Sequence, residues 1–205
     1  MEKIKALIFD VGGVLRLENP KFNHPHVHHL VAKKLGVNID QYLDAIDTVY
    51  AKSIEGKISE EKSLKIMARN LKTSPKKLKS IYTDAYLKYY ILNKRLFQFA
   101  FKKKKQGYKI AILSDQWWLA KKALLSNKIY NRFDVRVISC DVGVRKPNPK
   151  IYKITLKKLK LKPAQTVFID NQSWNIKPAK KIGMKTVLFK NNKQAIKAIE
   201  KILGK

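Results

Sequence analysis

The sequence predicts an α/β fold: a parallel sheet core with helices on both faces and an inserted all-helical cap. Three observations predict it. Five short runs rich in β-branched and other apolar residues have the length and composition of buried strands: KIKALIF (3–9), KIAIL (109–113), VRVIS (135–139), TVFI (166–169) and KTVLF (185–189). Helical patterns separate the last four of them, the alternation of a parallel sheet. Residues 16 to about 92 break that alternation, with helical patterns and no convincing strand.

The elements follow in chain order. Within the insert, HLVAKKLG, DQYLDAIDTVYAKSI, SEEKSLKIMARNL and SPKKLKSIYTDAYLKYY carry apolar residues three and four apart, the spacing of one helix face. Ser59 ahead of Glu60 to Lys62, and the pair Ser74-Pro75, read as helix starts. Gly36 and Gly56 read as helix ends. Core helices are expected at about 117–129, 148–160, 174–182 and 192–203. Lys102 to Lys105 are expected to form a solvated face on the helix leading into the second strand. The core is therefore a Rossmann-like domain of residues 1–15 and 93–205, and the cap is residues 16–92.

Charge is the unusual quantity. The 205 residues include 45 Lys and Arg against 15 Asp and Glu, a formal charge of +30 and a pI near 10.1. Such a balance favours anionic partners. Lysines recur along the whole chain and no nucleic-acid module is legible, so spread charge and weak, non-specific polyanion binding at low salt are expected. The same charge disfavours close self-association at low salt and leaves the oligomeric state open. No apolar run reaches the length of a membrane span. The opening MEKIKALIFD reads as a strand, not a secretory signal. Cys140, the single cysteine, excludes an intramolecular disulfide. A soluble, cytoplasmic protein is expected, with Cys140 an inert buried thiol.

In parallel sheets ligands bind beyond the carboxyl ends of the strands. That rule gathers Asp10, Ser114 with Asp115, Asp141 to Lys146, and Asp170 with Asn171 at one site. IFDVGGVL (8–15) ends a strand in a carboxylate, a potential nucleophile or metal ligand, followed by glycines that let an anion approach the backbone. LSD (113–115) adds a hydroxyl, GVRKPNPKIY (143–152) adds Lys146, and FIDNQSWNIKPAKKIGM (168–184) adds a polar pair.

The order Asp, Ser, Lys-Pro, then Asp with an Asn five residues on resembles the haloacid dehalogenase-like hydrolase superfamily, in its helical-cap branch, over the whole chain. GVRKPNPKIY and FIDNQSWNIKPA are most similar to the phosphatase domain of epoxide hydrolases and to sugar-phosphate phosphatases. The resemblance implies a Mg²⁺-dependent phosphatase of a small phosphorylated metabolite. Asp10 would be the nucleophile, forming an aspartyl-phosphate. Mg²⁺ would be held by Asp10, the Gly12 carbonyl, Asp170 and Asn171. Ser114 would bind a phosphoryl oxygen, Lys146 would stabilise negative charge, and Asp115 and Gly13 would border the substrate.

Three departures stand out. Gly12 replaces the usual acid/base Asp, a group that contributes roughly 10²–10⁴-fold. Its loss matters little for acyl, aryl or anomeric phosphates. Asn171 replaces a metal-binding Asp, and Asp115 replaces an Asn. Asp115 therefore either helps hold the metal or orient Lys146, or caps the helix at Gln116 to Trp118. These losses keep two alternatives open: a non-catalytic binder of a phosphate-bearing ligand or RNA, and a metal-independent haloacid dehalogenase using Asp10 and Lys146.

Weaker signals complete the reading. All four histidines fall in HPHVHH, at 24, 26, 28 and 29, where only His24 and His28 share helical spacing; a hydrated helix start is the expectation. Trp117, Trp118 and Trp174 follow two of the strands, placed to stack on a sugar or base or, more commonly, to pack between helices. Tyr82, Tyr86, Tyr89 and Tyr90 are mainly cap core.

Overall fold

Side-chain alternation along the first strand sets the layers. The computed structural model describes residues 2–22 and 26–204. In β1 (Ala6–Phe9) all four residues are buried. Leu7 and Phe9 enter the apolar cluster on one side of the sheet, and Ala6 and Ile8 enter the cluster on the other. A strand apolar on both faces is stable only with helices on both sides.

The chain then runs through β2 (Arg16–Glu18), α1 (Val27–Leu35), α2 (Ile39–Ile54), α3 (Glu60–Asn70), α4 (Pro75–Tyr89) and β3 (Tyr90–Leu92). The core continues with α5 (Lys94–Lys105), β4 (Lys109–Ser114), α6 (Trp118–Leu125), β5 (Val135–Ile138), α7 (Ser139–Val142) and α8 (Pro149–Leu159). It closes with β6 (Thr166–Asp170), α9 (Ser173–Lys181), β7 (Lys185–Leu188) and α10 (Asn192–Ile202). The five core strands form one parallel sheet in the order β5-β4-β1-β6-β7. With β1 central, β4 and β6 lie on either side of it. The crevice at its carboxyl end is where such a sheet accepts a ligand.

The helix starts read from the sequence are present. Ser59 accepts from Lys62 N and Ser74 from Lys77 N, with Pro75 in the first turn. Gly36 ends α1 in the left-handed region. Two expectations are corrected. The insert is not purely helical, because β2 and β3 pair antiparallel, Arg16 opposite Leu92, in a ribbon at its base. Nor is the Lys102–Lys105 run wholly solvated. Lys103 is buried, lies over the Phe99 ring and pairs with Glu200 at 2.6 Å, tying α5 to α10.

Cap and core share one apolar cluster, in which Tyr42, Val49 and Tyr82 of the cap join Trp117 and Leu124 of α6 and its approach. Trp117 Nε1 donates to Tyr86 Oη at 3.1 Å, and Trp118 Nε1 to the Ile58 carbonyl at 2.7 Å. Both tryptophans are therefore cap–core packing residues. Gly56, just past α2 at φ +64°, lies where any Cβ would overlap the Cys140 carbonyl. Gly36 has the same backbone region, φ +73°, with open space around it. Gly36→Ala is expected to cost about 1–2 kcal/mol for the left-handed backbone alone. Gly56→Ala adds a backbone clash and is expected to cost about 1–3 kcal/mol more. Urea denaturation of the two variants measures the difference, which equal midpoint shifts would contradict.

Candidate active site

The first strand delivers its carboxylate into a tight turn. Asp10 N donates to the Ile169 carbonyl at 2.9 Å, which keeps the residue in line with the sheet. The chain then folds back, with Arg16 N on the Val11 carbonyl at 2.8 Å and Gly13 N on the Arg16 carbonyl at 2.7 Å. Gly13, at φ +73°, leaves room that a side chain would deny to the Asn171 amide. Its N–H is spent inside the turn, so what Gly13, expected to border the substrate, contributes here is space. At Gly12 a Cβ would meet nothing within 4 Å.

Lys146 occupies the centre. It is 4% exposed, and its Nζ lies 2.6 Å from Asp170 Oδ2 and 3.0 Å from Asp10 Oδ1. Burial alone would lower its pKa, but Asp10, Asp170 and Asp115 around it raise it, so it stays charged. Asp170 is completely buried and accepts three further hydrogen bonds from two donor groups: Gln172 N at 2.7 Å, and Asn175 Nδ2 at 3.1 and 3.3 Å to its two oxygens, beside the Lys146 ammonium. Expected from the sequence as a metal ligand, Asp170 instead has both oxygens engaged by protein donors. Asp10 has fewer supports. Burial pushes its pKa up to about 6 against the pull of Lys146, with Asp170 adding to the rise.

The second strand end supplies Ser114, completely buried, whose Oγ accepts from Gln116 Nε2 at 3.0 Å. Gln116 is itself clamped, its N on Ser139 Oγ at 3.0 Å. Asp115 does not cap the following helix, which starts at Trp118 after Trp117 as N-cap, with no side-chain cap. Its Oδ1 accepts from Lys146 N at 3.0 Å, so it fixes the backbone that carries the central ammonium. Asp141 is not part of this group; it pairs with Lys121 at 2.5 Å. Gln116 was not legible as a site residue, although a polar residue one past LSD was the available signal.

Beside these groups lies a cavity of about 240 Å³ between cap and core, bordered by Gly12, Asp115, Gln116, His28, Tyr50, Tyr86, Tyr90 and Trp117 among others. His28 Nδ1 and Tyr42 Oη are 2.9 Å apart, and Tyr42 continues the contact to Tyr82. His24, the other half of the i, i+4 pair, lies outside the described residues. Cys140 is buried with its thiol pushed up to about 12 by burial and then by Asp141, which makes it unreactive.

The sequence matches the haloacid dehalogenase-like hydrolase family over residues 4–183. The chain belongs to this family. Relatives include bifunctional epoxide hydrolase 2 of Sus scrofa, 27% identical over 98% of this chain and 39% of that protein. The glyceraldehyde 3-phosphate phosphatase of Pyrococcus furiosus is 37% identical over 45% of this chain and 39% of that protein. The chain thus spans about two fifths or less of the length of these curated relatives. Among solved structures, a HAD family enzyme from Bacteroides thetaiotaomicron in complex with magnesium and inorganic phosphate superposes with a TM-score of 0.73. It is 22% identical, covering 91% of this chain and 94% of that one.

For this hydrolase, the fit to a divalent cation is tested by the donors themselves. Among the described residues no three His, Cys, Asp or Glu side chains cluster as a metal site. Any donor set here would draw on amide and carbonyl oxygens and on water besides carboxylate. One is conspicuous: Asn171 Oδ1 is buried with no hydrogen-bond partner. A buried polar oxygen left unpaired costs about 1–3 kcal/mol. Asp10, the Gly12 carbonyl and Asn171 are hard oxygen donors of the type Mg²⁺ takes, so the residues present fit the ion.

The cavity wall also titrates. Burial, and then the charges of His26 and His29, lower the His28 pKa from 6.5 to about 4. Below pH 6.5 the unfolded chain takes up a proton that folded His28 refuses. Its contribution is thus present above pH 6.5 and lost as pH falls toward 4, by on the order of 1–3 kcal/mol. His28→Gln removes that loss. Stability measured by urea across pH 4 to 7 should fall more steeply in the natural chain than in the variant; parallel curves would refute the assignment.

Proposed function

We propose that this hydrolase is a Mg²⁺-dependent phosphatase of a small phosphorylated metabolite, acting through an aspartyl-phosphate on Asp10. The observation that carries the reading is the asymmetry around Lys146. Asp170 is saturated by protein donors and holds the ammonium, while Asp10 retains an oxygen free of side-chain partners. That oxygen is the nucleophile. As its bond to phosphorus forms, the bond from phosphorus to the leaving oxygen breaks, and water then cleaves the aspartyl-phosphate to release phosphate.

Asp10, the Gly12 carbonyl and Asn171 would hold Mg²⁺, which when bound neutralises charge on the phosphoryl oxygens. Lys146, with its Nζ 3.0 Å from Asp10 Oδ1, would stabilise the same charge. Ser114, whose Oγ accepts from Gln116 Nε2, keeps its own hydroxyl hydrogen to donate to a phosphoryl oxygen. Asp115 positions Lys146 and borders the substrate. A proton is not delivered from residue 12, so the leaving oxygen departs as a stable anion, as from an acyl, aryl or anomeric phosphate. The relative named for glyceraldehyde 3-phosphate supports a small substrate. A cavity of about 240 Å³ supports it too.

An aryl phosphate tests this fairly. Turnover is expected to require Mg²⁺ and to fall about 10³-fold or more in Asp10→Asn. Asn171→Asp, which adds a charged ligand, is expected to lower the Mg²⁺ concentration for half-maximal rate about tenfold. Turnover that survives chelation or the Asp10 substitution would overturn the mechanism.

The open space at Gly12 yields a second test. In Gly12→Asp the new Cβ meets nothing within 4 Å, and the variant is expected to raise turnover of alkyl phosphates by about 10-fold or more relative to aryl phosphates. An unchanged ratio of the two rates would show that proton delivery is not what limits this site.

A further inference from the structure

The charge of the chain is unevenly placed on the fold. Between Asp141 and Glu200 the only carboxylate is Asp170, which is buried beneath Lys146. This stretch builds α8 and α9. Both pack on one side of the sheet, through Ile151, Tyr152 and Leu159 of α8 and Ala179 of α9. Tyr152 Oη donates to the Asn175 carbonyl at 2.8 Å and ties the two helices together.

Each helix turns one stripe outward. On α8 it is Lys150, Lys153 and Lys157; on α9 it is Trp174, Lys177 and Lys181. Both stripes have the i, i+3, i+7 spacing that stacks side chains on one helix face. All six residues are exposed, and Trp174 is 57% exposed, against the sequence expectation that it packs between helices. The other large apolar side chains exposed among the described residues, Leu43, Leu87 and Ile91, belong to the insert. The cap, in contrast, carries carboxylates among its cations, and some pair with them: Glu60 with Lys79, Glu61 with Lys65 and Asp84 with Lys34.

We propose that the α8–α9 face binds single-stranded nucleic acid, with phosphates along the lysine stripes and a base stacked on Trp174. A surface with cations and no carboxylate attracts a phosphate backbone at every point. A lone exposed ring adds a platform that any unpaired base can use, and that a duplex, with its bases already stacked, cannot. Seven residues of helix span roughly 10 Å, so each stripe follows a few nucleotides. An anionic bilayer shares the charge requirement. It gains little here, because a single ring without exposed aliphatic neighbours gives a shallow anchor.

The test uses the full chain and a labelled 20-nucleotide oligouridine, followed by fluorescence anisotropy at about 150 mM salt. Joint reversal of Lys153, Lys157, Lys177 and Lys181 to Glu is expected to weaken binding more than about tenfold and to flatten its salt dependence. Trp174→Ala is expected to weaken oligouridine binding about tenfold while leaving a duplex of equal length unaffected. Reversal of Lys62, Lys65, Lys76 and Lys77 on the cap is charge-matched and is expected to have a much smaller effect. Unchanged far-ultraviolet circular dichroism and aryl phosphate turnover establish that the variants are folded. The proposal is overturned by a cap reversal as damaging as the face reversal, or by an inert Trp174→Ala. It is equally overturned by loss of all binding at this salt, or by binding to phosphatidylserine vesicles in place of the oligonucleotide.

Discussion

A buried ammonium between two buried carboxylates is the constraint around which the active end of this fold is arranged. Taking Lys146, Asp10 and Asp170 out of water is costly unless each charge is met at short range. The contacts of 2.6 and 3.0 Å do that, and Asp115 holds the backbone that presents the lysine. The three groups arrive from the ends of adjacent strands and the loop after β5, so the sheet order is what makes the pairing possible. Lys146 lies close enough to both carboxylates to be shared, yet their surroundings differ. One also accepts from Gln172 and Asn175; the other has Lys146 as its side-chain partner and is pushed up to about 6 by burial. Two chemically identical side chains thereby acquire separate roles.

The replacements at 115 and 171 look, in sequence, like one carboxylate moved from one strand end to another. In the structure they are separate events. Asp115 spends Oδ1 on the Lys146 N–H, whereas Asn171 packs against Gly13 with its own oxygen unpaired. The first is a positioning contact within the protein. The second is a buried oxygen that no protein donor meets, in keeping with the cation ligand proposed for it.

The core strands and the strand-end residues were readable because both depend on short-range pattern. A strand buried on both faces is a continuous apolar run, and its first polar residue marks the carboxyl end. Cap helices were readable through local signals such as Ser59, Ser74 and Gly36. What escaped depends on partners remote in the chain. The β2–β3 ribbon joins segments of three residues, too short for alternation to show. Lys103 looks like its neighbours in a lysine run, and only Glu200 reveals that it is buried. Asp115 resembled a helix cap until Lys146, across the loop after β5, proved to be the donor. The lysine and tryptophan stripes are likewise regular only once α8 and α9 lie on the same side of the sheet.

The missing acid at residue 12 is best understood through space. Where a side chain is lost because packing leaves no room, the backbone is crowded; at Gly12 a Cβ would meet nothing within 4 Å. Fold and turn geometry therefore do not require glycine there in the way that Gly13 is required by Asn171. What sets the position apart is the cavity that it faces. Gly12 borders the same cavity as Tyr50, Tyr86, Tyr90 and Trp117. A carboxylate at residue 12 would set a charge among these rings and next to Asp115, raising the cost of admitting a phosphate dianion. A leaving group that needs no proton removes the reason to bear that cost. Vacant space, aromatic wall and absent acid are then consistent with the proposed chemistry, in which the departing anion needs no proton.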